Sequence, residues 1–161
     1  MYDGNYWEEV PNMSVKRDRP ACSLVQLPNK GTQSTVLYVL TGSVSHLTLQ
    51  KIGGVRILVA GGCDGWCAKN PAISSAEMFN PDTRTWTRVA SLPKPLSSAK
   101  MELFDGLPTT VGGFDNQQLR DELYQYHPDK NRWIAHPTAK MRIPRSSAAV
   151  FQVPRAMFPH C

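Results

Sequence analysis

The sequence predicts an all-β fold built from repeated sheets of short antiparallel strands, and three observations support this prediction. The chain has 161 residues with 11 Gly and 13 Pro, a composition that suits frequent turns and argues against a helical bundle. A pattern of apolar run, two glycines, aromatic residue and Trp occurs twice. No window of about 11–18 residues shows sustained helical spacing.

The aromatic part of the repeat is seen when the segments ending in Trp86 and Trp133 are aligned. Phe79 precedes Trp86 by seven positions, and Tyr126 precedes Trp133 by the same distance. A Pro-Asp pair lies inside each interval and predicts a turn. We therefore expect each aromatic residue and its Trp to lie on neighbouring strands, where each buries roughly 150–250 Å² between sheets.

Double glycines form the other part of the repeat. Gly61 and Gly62 close one apolar run, and Gly112 and Gly113 close another 51 positions later. Two glycines allow a sharp backbone turn with φ values that other residues resist. We interpret the glycines, the aromatic residues and the tryptophans as structural, because none of them offers catalytic chemistry.

The strands are predicted in chain order from these landmarks. Innermost strands begin near Ala21 and Lys100. The remaining predicted strands cover residues 57–60, 75–79 and 86–89 in the first unit, and residues 107–111, 123–126 and 133–135 in the second.

This combination of features resembles the kelch repeat, and the resemblance extends from Trp7 to about Pro154. It implies a partial kelch-type β-propeller of about two to three four-stranded blades. Such a ring needs about four to eight blades, so we expect that this chain alone does not close it. The chain is then expected to be a fragment of a longer protein, or to complete the ring by self-association.

A single partial propeller over residues 1–161 would contain a tail (1–12), two units (13–91 and 92–139) and a head (140–161). The first unit carries an atypical insertion at about residues 30–54. One hypothesis is a genuine insertion with its own strand at residues 36–40. The other, which we favour, is a retained non-coding segment, because an exposed Val-Leu-Tyr-Val-Leu run is an aggregation hazard.

The resemblance implies that loops on one propeller face recognise a protein or peptide partner. The candidate loops are residues 63–73 and 114–120, and an Arg stands at the entry to each of two innermost strands. Arg binds carboxylates bidentately, although Arg145 could instead bond backbone carbonyls between blades. The candidate binding residues are Arg17, Asp64, Trp66, Asp115, Asn116, Arg120, Arg145 and Ser146.

Composition and motifs argue against several other functions. The net charge of +5 is scattered along the chain, so no nucleic-acid groove is predicted. The most apolar stretch, residues 35–43, is far short of the ~20 residues that span a bilayer. No catalytic residue, metal site or cofactor is predicted, because the four His residues match no metal or catalytic spacing.

We therefore expect a protein–protein interaction scaffold, in the manner of the substrate-binding region of a kelch-like ubiquitin-ligase adaptor. A secreted or cell-surface kelch protein is an alternative, and a galactose-oxidase-like domain is another. The Cys63-x3-Cys67 spacing permits a disulfide in a secreted protein and free thiols in a cytosolic one. A cytoplasmic location is favoured, with secretion left open.

Overall fold

The computed structural model describes residues 11–26, 43–44 and 55–151, which form two four-stranded antiparallel sheets and one short two-stranded pair. The proposed strand at residues 36–40 lies outside the described residues. The strands are β1 Arg17–Asp18, β2 Ala21–Gln26, β3 Ser43–Val44, β4 Val55–Ala60, β5 Ala76–Asn80, β6 Thr85–Val89, β7 Lys100–Phe104, β8 Leu107–Val111, β9 Glu122–His127 and β10 Arg132–Lys140.

Each four-stranded sheet is a meander in which consecutive strands pair. The first sheet has the order β2-β4-β5-β6, and the second has the order β10-β9-β8-β7. Pairing of β2 with β4 runs from Ala21 opposite Ala60 to Gln26 opposite Val55, so residues 27–54 stand between two directly paired strands. In the second sheet only Asp105 and Gly106 separate the equivalent strands. The expected all-β architecture is confirmed.

The aromatic pairs lie where the spacing predicted. Phe79 stands directly opposite Trp86, and Tyr126 stands directly opposite Trp133. The ring centroids are 5.0 Å apart in the first pair and 5.1 Å apart in the second. A Pro-containing turn joins the two strands in each case, so the same local sequence builds the same aromatic stack twice.

The double glycines end β4 and β8. Gly61, Gly62, Gly112 and Gly113 all have positive φ, between 61° and 108°. The chain leaves each strand here and enters a loop, as the repeat pattern indicated.

One apolar core joins the two sheets. Buried side chains from the first sheet pack against buried side chains from the second, and the segment linking the sheets contributes others. This is the packing of neighbouring propeller blades, and the described residues form an open array and not a closed ring. The buried members are Ala21, Leu58, Ala60, Ala76, Leu92, Leu96, Ala99, Met101, Tyr124, Tyr126 and Trp133.

Each repeat Trp also donates a hydrogen bond to the unit before it. The indole Nε1–H of Trp133 donates to the carbonyl of Ala90 at 2.8 Å, and that of Trp86 donates to Pro11 at 2.7 Å. Ala90 follows Trp86 by four positions, just as Pro11 follows Trp7. Residues 11–12 thus occupy the place expected for the tail of a preceding unit.

Replacing Trp133 with Phe is expected to lower the free energy of unfolding by about 2 kcal/mol. The substitution removes the bond to Ala90 and part of a buried ring. Trp86→Phe, at the less buried equivalent position, should cost about half as much. Urea denaturation checks both variants, and equal costs would contradict a role for Trp133 in joining the sheets.

Candidate functional site

Two loops follow the double glycines and lie at equivalent positions in the two sheets. We name residues 63–73 the Cys loop and residues 114–120 the Asp loop. Each starts with a bridge to the segment that enters an innermost strand: Cys63 pairs with Asp18, and Phe114 pairs with Ser97. The candidate loops of the sequence therefore occupy the same end of neighbouring sheets.

A disulfide and one aspartate close the Cys loop. Cys63 and Cys67 form a disulfide with Cα atoms 5.1 Å apart, which answers the question that their spacing left open. The Cys63 backbone also bridges to Asp18 on one side and Ala72 on the other. The Asp18 carboxylate accepts a 3.0 Å hydrogen bond from the N–H of Cys67. Both ends of this short ring are thus anchored.

Trp66 stands at the tip of the closed ring with its side chain in solvent. Its residue is 60% exposed, yet its carbonyl accepts hydrogen bonds from the N–H groups of Lys69 and Asn70 at 2.9 and 3.1 Å. The Lys69 ammonium lies 5.5 Å from the centre of the indole ring, a cation–π distance. Asp64 is exposed on the same ring. The backbone is fixed while the indole is presented outward.

A carboxylate organises the Asp loop in place of a disulfide. The buried Asp115 side chain accepts hydrogen bonds from the N–H groups of Gln117 and Gln118 and forms an ion pair with Arg120. The Gln118 N–H is the largest of the effects that hold the pKa of Asp115 below its usual value. Burial opposes it, while Arg120 and the Gln117 N–H add to it. Asp115 is therefore a charged organiser of its loop at neutral pH.

Asn116 joins the two loops. Its Oδ1 accepts a 2.6 Å hydrogen bond from the N–H of Ala72, and its Nδ2 donates to the carbonyl of the same residue at 3.1 Å. The amide side chain thus imitates a β-bridge between loops that belong to different sheets. We call the Cys loop and the Asp loop together the loop platform.

Exposed large apolar side chains are concentrated on the loop platform. Trp66, Phe114 and Leu119 are 60%, 38% and 44% exposed. Sequence reasoning included Trp66 but missed Phe114 and Leu119, although Phe114 aligns with Cys63 as the residue after the double glycine. The other exposed large apolar residues of the described ranges are Phe104, Ile143 and Phe151.

Arg17 lies inside the first sheet and not on the loop surface. Its guanidinium donates to the carbonyls of Gly61 and Ser75, each at 2.8 Å, and forms a 3.0 Å ion pair with Glu77. The side chains of Arg17 and Glu77 are 0% and 1% exposed. The second Glu77 oxygen accepts a bond from the N–H of Ser14. Arg17 therefore holds strands together and is closed to a partner in this fold.

Arg145 occupies the position in its unit that Arg17 occupies in the first, yet it is exposed. Its backbone bonds to the neighbouring sheet, since its carbonyl accepts from Gly113 and its N–H donates to Arg120. These backbone bonds match the alternative interpretation made from the sequence. Ser146 beside it is half-buried. Arg145 thus borders the Asp loop, while its guanidinium remains at the surface.

Two searches of the described ranges returned nothing. Residues 11–26, 43–44 and 55–151 contain no group of three or more His, Cys, Asp or Glu side chains that could hold a metal ion. In the same part of the chain, no helix has the length and apolar character needed to cross a membrane.

Fold and loops together define a repeat protein of stacked four-stranded sheets. The Kelch motif family model matches residues 54–93. Beta-scruin of Limulus polyphemus is 35% identical over 89 residues, which is 51% of this chain and 9% of that protein. Human Kelch-like protein 35 is 38% identical over 73 residues, which is 45% of this chain and 12% of that protein.

A solved structure described as "Structure of YjhT" is similar to 83% of this chain and covers 54% in that chain, with a TM-score of 0.48 and 13% identity. The matched region is thus about a tenth of the length of the curated relatives. The chain belongs to the kelch-repeat family.

Proposed function

We propose that the chain binds a protein partner through the loop platform, with Trp66 as the central contact and Phe114 and Leu119 beside it. The observation that carries this proposal is an exposed indole on a loop whose backbone is fixed by a disulfide and by Asp18. Trp is enriched among the residues that dominate binding energy at protein interfaces. A loop ordered before binding also loses less conformational entropy on association.

The other candidate residues support this surface from behind or at its border. Asp115 and Arg120 fix the Asp loop, and Asn116 fixes the distance between the two loops. Arg145 lies at the border, where its guanidinium is free to meet a carboxylate of the partner. Recognition would therefore combine an apolar centre with a polar rim, the usual anatomy of an interface.

Replacing Trp66 with Ala is expected to weaken partner binding at least tenfold without lowering stability. The probe is a peptide selected from a random library on the oxidised protein, and calorimetry measures its affinity for each variant. Ile143→Ala is the matched control, because Ile143 is 62% exposed but lies outside the loop platform. Equal affinities of wild type and Trp66→Ala, or failure to select any peptide, would contradict the proposal.

A narrower form of the proposal is the substrate-recognition region of a ubiquitin-ligase adaptor. It is supported by the kelch repeat pattern and by the relatives named Kelch-like protein 15 and Kelch-like protein 35. Cross-linking the natural protein in its source tissue tests it. A cullin in the cross-linked complex is the expected result, and a complex that lacks one would contradict the narrower form alone.

The disulfide favours a second candidate, a secreted or cell-surface kelch protein that binds its partner by the same platform. Disulfides persist in oxidising compartments and are usually transient in the cytosol. Thiol titration of the denatured natural protein separates the two candidates. A stable Cys63–Cys67 bridge supports the second candidate, and free thiols at both positions would contradict it.

A further inference from the structure

We infer that the Cys63–Cys67 disulfide is a redox-exchange site whose state controls the loop platform, with a small dithiol as the reductant. This inference rests on the proposed function, because it concerns the same surface, and it adds the means of regulating that surface. It does not depend on the compartment in which the natural protein resides.

Position on the loop makes the disulfide the element that the platform depends on. Its ring contains only Asp64, Gly65 and Trp66 between the two sulfurs, so it directly frames the exposed indole. The Asp loop at the equivalent position is closed by the ion pair of Asp115 with Arg120, which redox chemistry does not affect. Only one half of the platform is therefore sensitive to reduction.

The two sulfurs differ in access, and this sets the direction of the exchange. Cys63 is 2% exposed, whereas Cys67 is half-buried. A thiolate of the dithiol attacks the Sγ of Cys67, the S–S bond breaks, and the electron pair leaves on the Sγ of Cys63, which takes a proton. The second thiol of the reductant then displaces Cys67, which is also protonated. Two electrons and two protons reach the protein, and the reductant becomes a disulfide.

Reduction leaves Cys63 in place but releases Cys67. The backbone of Cys63 stays held by its bridges to Asp18 and Ala72. Cys67 keeps only its N–H bond to the Asp18 carboxylate, which is open to competition from water. Trp66 thus loses its fixed position, and binding must then order the loop. The described thiol outside the ring, Cys22, does not compete, because burial raises its pKa to about 12.

Limited trypsin digestion tests the release without any partner. The Lys69–Asn70 bond lies just after the ring, and the Lys130–Asn131 bond in the second sheet has the same two residues and serves as an internal control. Reduction with dithiothreitol should speed cleavage after Lys69 roughly tenfold or more, the order given by the chain entropy of a short closed loop, and leave cleavage after Lys130 unchanged. The Cys63→Ser/Cys67→Ser variant should show the fast rate with and without reductant.

Affinity of the library-selected peptide gives the second readout. Its Kd should rise roughly tenfold on reduction of the wild type and should not respond to reductant in the double Ser variant. An unchanged rate of cleavage after Lys69, or equal affinity in both redox states, would overturn the inference. Equal affinity with a strong effect of Trp66→Ala would overturn the inference alone, while failure to select a peptide would overturn the proposed function and leave the digestion to decide the inference.

Discussion

Replacing Arg17 with Leu should lower the free energy of unfolding by about 3–5 kcal/mol, the range for breaking a buried ion pair by removing one partner. The Glu77 carboxylate would remain at 1% exposure without the guanidinium that neutralises it, and the carbonyls of Gly61 and Ser75 would lose their donor. Leu is a suitable replacement, because Leu96 stands at the equivalent position of the next unit. Urea denaturation followed by Trp fluorescence measures the change.

Two further variants show whether the cost comes from an isolated buried charge. Arg17→Leu combined with Glu77→Gln removes the charge as well and should recover a large part of the lost stability. Lys94→Met breaks a more exposed pair with Glu122, whose partners are 39% and 20% exposed, and should cost under about 1 kcal/mol. A double variant no more stable than Arg17→Leu would contradict this account.

The same pair predicts an acid limit to stability. Burial acts to raise the pKa of Glu77, but the hydrogen bonds from Ser14 and Arg17 and the charge of Arg17 outweigh it and hold that pKa below 4.5, its ordinary value. Because the folded pKa is the lower one, the contribution is complete above pH 4.5 and is lost as the pH falls through the folded pKa. Glu77→Gln should therefore show a shallower loss of stability below pH 4.5.

The second large effect is expected at Gly61, where Ala should destabilise the fold by about 3 kcal/mol. An added Cβ would lie 2.2 Å from the carbonyl oxygen of Leu96, so backbone must move. The residue also has φ of +67°, a conformation that costs a side chain roughly 1–2 kcal/mol. Thermal or urea unfolding of Gly61→Ala measures the sum of the two effects.

Gly106 separates the two causes. It has φ of +75°, but no atom lies within 4 Å of an added Cβ. Gly106→Ala should therefore show the conformational cost alone, about 1 kcal/mol. Equal losses in Gly61→Ala and Gly106→Ala would mean that the close approach of Leu96 to Gly61 contributes nothing.

Features set by local spacing could be predicted from the sequence. The aromatic stacks, such as Tyr126 on Trp133, follow from a seven-residue interval with a Pro turn inside it. The double glycines mark the strand ends because only their φ values allow the turn. Strand β10 is the exception, since it continues to Lys140 whereas only residues 133–135 were predicted. A Pro at position 137 hides this extension, and pairing of Lys140 with Glu122 resumes beyond an irregularity.

Features that depend on contacts between distant residues could not be predicted. Asn116 and Ala72 are 44 positions apart and belong to different units, so neither sequence marks the other as a partner. Arg17 and Glu77 are 60 positions apart, and no local pattern shows that this Arg turns inward while Arg145 stays exposed. The disulfide stayed open for a different reason, because a C-x3-C spacing permits a bridge without requiring one.

Mapping of the selected peptide by amide chemical shifts tests the central claim most directly. Binding through the loop platform should move the amide signals of residues 63–73 and 114–120 and leave the rest of the described chain nearly unchanged. The apolar groove on the outer face of the second sheet, lined in part by Phe104, Leu123 and Phe151, is the competing surface. Shifts confined to that groove, with the loop signals unmoved, would contradict the account.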